Sequence, residues 1–369
     1  ARMARRIMHE RATNDQFSAN SVARLQTMAI EHPQVDHRLR ALWSLHLLGH
    51  LDKPLFQQLL SDDSEYVRAW AIQLAVESMS PEDLAAPLSK LSEQDPSLLV
   101  CRYLASAIQR LPADLGWSIA SALATRDDTQ SDRELELLLW YGIASSNGGN
   151  LDQSLRLADR TRVPILRDYI LWYGAKRSQE GRNVLAGLVF SATETERLHY
   201  LELLELAVRG MRGLAPPVGW SDHAADFYDS ADASTRVVSE SLGAAFGDAA
   251  LFDRMRKVLA NSDADDEARR RAMAILETDS APENLSLLLG LLDNQALVKQ
   301  AIPMLMRFDD PAVAESLIAR IRDWPDAIDG AAMEVLVSRP AWASQVLDAI
   351  ESETIPKQRL TAYDARQIY

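Results

Sequence analysis

The chain has 369 residues, and its 53 Leu and 52 Ala against only 15 Gly and 15 Pro mean that helix formers dominate and turn formers are scarce, which argues against a β-sandwich, a barrel or a disordered tail. Charged residues make up 25% and no apolar run approaches the roughly 20 residues of a membrane span, so a transmembrane helix is excluded. A formal charge of −14 with no clustered Lys/Arg stripe argues against a nucleic-acid partner, and a single cysteine, Cys101, excludes an internal disulfide, a Cys-based zinc site and a haem attached through C-x-x-C-H.

The first residues, ARMARRIMHERA, are basic and amphipathic but lack the apolar core of a signal peptide and an initiating Met, as expected of a segment from a longer chain. Repeats follow. Asp63-Ser-Glu-Tyr-Val67-Arg68-Ala-Trp-Ala71 has the Asp, Val-Arg and small-residue pattern of the second helix of a HEAT unit, with copies around Val35, Arg38 and Ala41 and around Asp95, Val100, Arg102 and Ala105. Val35 to Val67 is 32 residues and Val67 to Val100 is 33, a period suited to compact two-helix repeats. Asp or Pro ahead of each helix suits its first free N–H groups, the Val and Ala face a neighbouring helix, and the Arg can bridge toward an Asp of an adjacent turn.

Leu139-Trp140-Tyr141-Gly142 recurs 32 residues later as Leu171-Trp172-Tyr173-Gly174, an independent marker of the same period. Apolar residues spaced by three and four predict helices over Leu135 to Ile143 and Leu198 to Ala207. Gly210, Gly213, Pro216, Pro217 and Gly219 then interrupt the pattern. It resumes less regularly at Asp263 to Ala272 and Asp293 to Ala301, and Asp309-Asp310-Pro311 opens another short pair. The expected fold is all-α, a HEAT-like α-solenoid: a right-handed superhelix of about ten antiparallel helix pairs. Its expected segments are 1–208 with N-terminal repeats, a Gly/Pro-rich interruption at 209–222, C-terminal repeats over 223–354, and a connector at 355–369. The interruption is expected to kink one continuous stack.

Motifs for chemistry are sparse. His46 and His50 are four apart and could share a helical face, but no Glu follows His46 as in H-E-x-x-H, so packing or capping is expected. His32 and His37 are expected to be solvated, while His9, His199 and His223 have no partner at ligand spacing. Cys101 reads as a small helix residue, because Arg102 beside it points about 100 degrees away. Gly148-Gly149 marks a loop, and no phosphate-binding, dinucleotide-binding or G-x-S-x-G motif is present. The acidic runs Asp62-Asp63, Asp127-Asp128 and Asp263 to Glu267 do not complete a calcium loop and suit helix starts instead. Trp140-Tyr141 and Trp172-Tyr173 could line a partner groove, although their helical period favours packing. No catalytic, cofactor-binding or metal-binding residue is therefore assigned.

The order HERAT (His9 to Thr13), RLRALWSLHLLG (Arg38 to Gly49), YVRAWAIQL (Tyr66 to Leu74), DPSLLVCRYLASAIQRLP (Asp95 to Pro112) and LLLWYGI (Leu137 to Ile143) resembles the HEAT-repeat middle region of large planctomycete-type membrane-bound dehydrogenase or haem-binding proteins. The resemblance covers roughly Met3 to Tyr173; Cys101 and the repeated Trp172 to Gly174 depart from the family pattern. It implies an exported, extracytoplasmic scaffold, periplasmic or at the cell surface. A sugar-dehydrogenase-like propeller would precede it and a cytochrome c module would follow the connector, so the partners are flanking domains or another protein, with no membrane insertion. The haem and catalytic residues would lie outside this chain, leaving no cofactor in this segment. A free-standing HEAT adaptor is the alternative, and a helical-repeat glycosylase or lyase lacks both a basic groove and a paired acid and base.

Overall fold

The computed structural model describes residues 18–129, 132–146 and 150–368 together with Met3, Arg6, Ile7, Glu10 and Arg11. His9 and the end of the HERAT motif, like Gly148 and Gly149, lie outside the described residues. Among the described residues there are 22 α-helices and no strand, and they form two compact units, residues 1–185 and 186–369.

The first unit contains α1 (Ala19–Glu31), α2 (Val35–Leu47), α3 (Lys53–Leu59), α4 (Glu65–Ser78), α5 (Pro81–Gln94), α6 (Leu98–Ala107), α7 (Ala113–Ala124), α8 (Arg133–Ser146), α9 (Leu151–Ala158), α10 (Pro164–Arg177) and the start of α11 (Gln179–Ser191). The even-numbered helices α2 to α10 pack in succession as one layer, and α1, α3, α5, α7 and α9 form the layer behind them. This is an α-solenoid of helix pairs. The caps explain where the helices start: Ser18, Asp52, Ser80, Ser97 and Asn150 each accept a backbone N–H from the first turn, worth about 1 kcal/mol apiece. Behind the repeat signature lies the packing it predicts. Val67, Ala71, Val100 and Ala105 are fully buried, and Ala41 nearly so, because small side chains let successive helices approach closely.

The second unit continues from α11 through α12 (Glu194–Val208), α13 (Trp220–Tyr228), α14 (Ala233–Phe246), α15 (Ala249–Ala260), α16 (Asp266–Leu276), α17 (Glu283–Gly290), α18 (Val298–Leu305), α19 (Pro311–Arg320), α20 (Asp326–Val337), α21 (Pro340–Glu351) and α22 (Ala362–Ile368). Here too the even-numbered helices stack on one another, backed by α13, α15, α17, α19 and α21. Asp232, Asp265 and Asp310 cap α14, α16 and α19, so Asp265 within the acidic run serves a helix start. The Gly/Pro-rich stretch links α12 to α13 inside this unit. Gly210, Gly213 and Gly219 adopt positive φ of 65–82°, and Leu214 donates its N–H to Ala245 O at 3.1 Å, which ties the link to α14.

Candidate functional site

In the first unit, arginines on the layer of α2 to α10 reach the aspartate that precedes the next helix of that layer. Arg38 donates to Asp62 at 2.6 Å, Arg102 to Asp132 at 2.7 Å, and Arg68 forks onto both oxygens of Asp95 at 2.7 and 3.0 Å. Each aspartate also accepts backbone N–H groups at the entry to the helix that follows, from the N-cap residues Ser64 onto Asp62 at 2.8 Å and Ser97 onto Asp95 at 2.9 Å, and from Glu134 and Leu135 of α8 onto Asp132 at 3.1 and 3.0 Å. The anticipated Arg-to-Asp bridge therefore forms. In the second repeat, however, the carboxylate engaged is Asp62, while the neighbouring Asp63 is exposed. Burial pushes the Asp132 carboxyl upward, but the Arg102 guanidinium and the two backbone N–H groups outweigh it and hold the acid below its ordinary range.

With the helices fixed in this way, their aromatic side chains fall into a row. Trp43 meets Trp70 edge to face at 5.0 Å between ring centroids, and Trp70 meets Tyr103 at 6.1 Å. Farther along, Trp140 packs against Tyr169 and Tyr173 at 5.4 and 5.5 Å. These rings are half-buried, and Tyr66, one turn before Trp70 on α4, and Tyr141 on α8 are more than half exposed. The Trp-Tyr-Gly repeat thus combines packing with an exposed aromatic at Tyr141. Its glycines have a separate cause: a Cβ on Gly142 would stand 3.0 Å from Ile108, and one on Gly174 would stand 3.1 Å from Leu155. The first faces the end of the preceding helix in its own layer and the second faces α9 in the layer behind, so both glycines sit at close approaches of different origin.

The remaining sequence candidates separate in space. His46 Nε2 lies 3.4 Å from Glu77, whereas His50 is exposed beyond the left-handed Gly49 that ends α2. His32 and His37 come together, which spacing alone did not reveal. They are half-buried rather than fully solvated, with His37 Nδ1 3.2 Å from His32 Nε2, while His32 Nδ1 accepts the Gln34 N–H at 3.1 Å. His199 is exposed beside Tyr200, and His223 stacks on Phe190 at 4.4 Å. Cys101 is fully buried and burial pushes its thiol up to about 11, the opposite of an activated nucleophile. Arg126 forks onto Asp128 at 2.9 and 2.6 Å, which takes up one acid of the Asp127-Asp128 run. Among the described residues no three His, Cys, Asp or Glu side chains gather in a group able to hold a metal ion.

Sequence reasoning missed two buried polar groups in the second unit. Tyr228 donates to Asp248 at 2.7 Å beneath Gly243, where a Cβ would clash with the phenol. Glu240 on α14 is almost fully buried, and burial raises its pKa despite the positive charges of Arg271, Arg254 and Arg236. Neither has a local motif. Comparison with known protein families and with curated proteins finds no match for the chain.

Proposed function

We propose that this chain is a non-catalytic helical-repeat scaffold that holds other protein modules on the α2 to α10 layer of its first unit. One observation carries the reading: the half-buried row of Trp43, Trp70 and Tyr103 and the separate Trp140 cluster, with Tyr66 and Tyr141 exposed on the same helices, whose spacing is fixed by buried Arg–Asp contacts. Tyr and Trp provide large contact area at small entropic cost and are the usual anchors of protein interfaces. Repeat arrays present such extended surfaces because each unit leans only on its neighbours. No helix among the described residues is long and apolar enough to cross a membrane.

The resemblance to dehydrogenase middle regions supports naming the modules: a propeller before the scaffold and a cytochrome c module after it, in an exported redox protein. A reduced-minus-oxidised visible spectrum of the full natural reading frame that contains this chain is the test. Haem bands there, together with saturable quenching of this chain's tryptophan fluorescence by the separately expressed haem module and loss of that quenching in the Y66A/Y141A double variant, are the expected results. A full-length protein without haem overturns the redox assignment and leaves the free-standing adaptor as the reading. Quenching unchanged in the double variant overturns the aromatic row as the docking face.

A further inference from the structure

The second unit holds a cavity of about 400 Å³ between α12, α14, α16 and the start of the Gly/Pro-rich link, a volume within the range of small-molecule sites. Its lining has two kinds of surface. Val208, Val237, Ala244 and Ile275 give it an apolar side, while Glu205, Glu240, Arg209, Arg212 and Arg271 give it a charged one. Arg209 is already engaged, since it forks onto Glu205 at 3.3 and 2.7 Å. Arg271 is about half exposed and lies with its Nε 3.3 Å from Glu240 Oε2, but the approach is poorly aligned and Oε2 receives no hydrogen bond. A buried oxygen of an ionised carboxylate without a donor is costly, and the cost is relieved either by a proton or by a partner that reorganises the pair.

The charges around Glu240 decide which partner fits. Arg271 faces it from α16, and Arg254 on α15, itself paired with Asp229 at 2.7 Å, and Arg236 on α14 add positive potential. A cationic ligand would meet Arg212 and Arg271 beside the Arg209–Glu205 pair. An anionic one would find Arg271 and Arg212 at the cavity and could take Glu240's place as the partner of Arg271, leaving Glu240 to accept a proton and donate it as an O–H to the ligand.

We infer that this cavity binds a carboxylate bearing a short aliphatic chain, with Arg271 gripping the carboxylate, protonated Glu240 donating to it, and the chain lying on Val208, Val237 and Ile275. The same chemistry is offered by a free aliphatic acid and by the C-terminus of a peptide ending in an aliphatic residue. The site is independent of the docking row in the first unit.

The test is a calorimetric titration of the whole chain at pH 7 with pentanoate, with acetyl-Gly-Gly-Val, and with pentylamine as the cationic counterpart, repeated in two buffers of different ionisation enthalpy. Saturable binding of at least one carboxylate with proton uptake from the buffer is expected, and the tighter of the two distinguishes a free acid from a peptide end. R271Q is expected to weaken binding at least tenfold. E240Q, which keeps a donor but cannot take up a proton, is expected to abolish the buffer dependence of the binding enthalpy. Thermal unfolding of each variant identifies loss of fold, and R271M serves as a second probe if R271Q melts early. Binding of pentylamine in preference to both carboxylates, native-like affinity in a folded Arg271 variant, or no saturable binding of either carboxylate overturns the inference.

Discussion

The two units use the same helix-pair arrangement but connect their repeats differently. In the first, Arg38, Arg68 and Arg102 end on buried carboxylates that also accept a backbone N–H at the start of the next helix. In the second, the arginines at the fourth position of α12, α14 and α16 end on backbone carbonyls, Arg197 on Ala192, Arg236 on Ser230 and Arg269 on Leu259, while largely buried ion pairs lie elsewhere, at Arg256–Asp279 and Arg359–Asp329. A carbonyl satisfies a guanidinium without titrating and without specifying a side chain. A carboxylate does both, which explains why the first unit carries a readable sequence repeat and the second a blurred one.

Tight helix crossings sharpen the comparison most. In the first unit, a Cβ on Gly181 would stand 2.1 Å from the backbone carbonyl of Gly174, and backbone cannot swing aside. Gly181→Ala should therefore cost about 3 kcal/mol in denaturant unfolding. In the second unit, Gly243→Ala meets the Tyr228 hydroxyl and Leu251, which are side chains, and should cost about half as much. Equal losses would show that the two crossings are equally rigid.

Next in size is the removal of a single carboxylate. Asp95→Ala strands the nearly buried Arg68 guanidinium and leaves the Ser97 N–H without its acceptor, with an expected loss of about 3 kcal/mol. Asp309→Ala removes the exposed partner of Arg339 at 3.2 Å and should cost no more than about 0.5 kcal/mol. Chemical denaturation of both variants measures the contrast directly.

A smaller effect has opposite sign in the two units. Asp132 is held below the usual carboxylate range, so its contribution to the first unit is complete above about pH 4 and is lost as the pH falls through its folded pKa. Glu240 is held above that range, so the folded second unit binds the proton more tightly than the unfolded chain does, and acidification from neutral toward about pH 4.3 stabilises it. Hydrogen exchange followed peptide by peptide should show protection of α14 rising toward pH 5 before any loss around α8 at lower pH. E240Q should flatten the α14 response; an unchanged response would assign it to another group.

The legible part of the fold was local. Val67, Arg68 and Ala71 sit within one turn or so of each other, and each has a fixed duty on the helix, so the repeat could be read from spacing alone. The engaged acid was harder to identify because Asp62 and Asp63 are adjacent, and only the direction of the chain before α4 decides between them. His32 and His37 meet because the chain turns between α1 and α2, and the sequence shows only their separation. Glu240 was invisible for a stronger reason: its nearest cation, Arg271, is two helices away, and a single Glu in an amphipathic helix reads as solvent-facing until the third dimension buries it.

The double duty of Asp62, Asp95 and Asp132 has a consequence for how such a chain can be cut and joined. Each of these residues belongs to one repeat by sequence and to the preceding one by its ion pair, so the energetic module is offset from the sequence module. Insertion or excision of whole periods leaves every arginine facing an aspartate. Any splice that separates Arg68 from Asp95 strands a buried cation at the new junction, so the joints, more than the helices, determine which lengths of this array can be built.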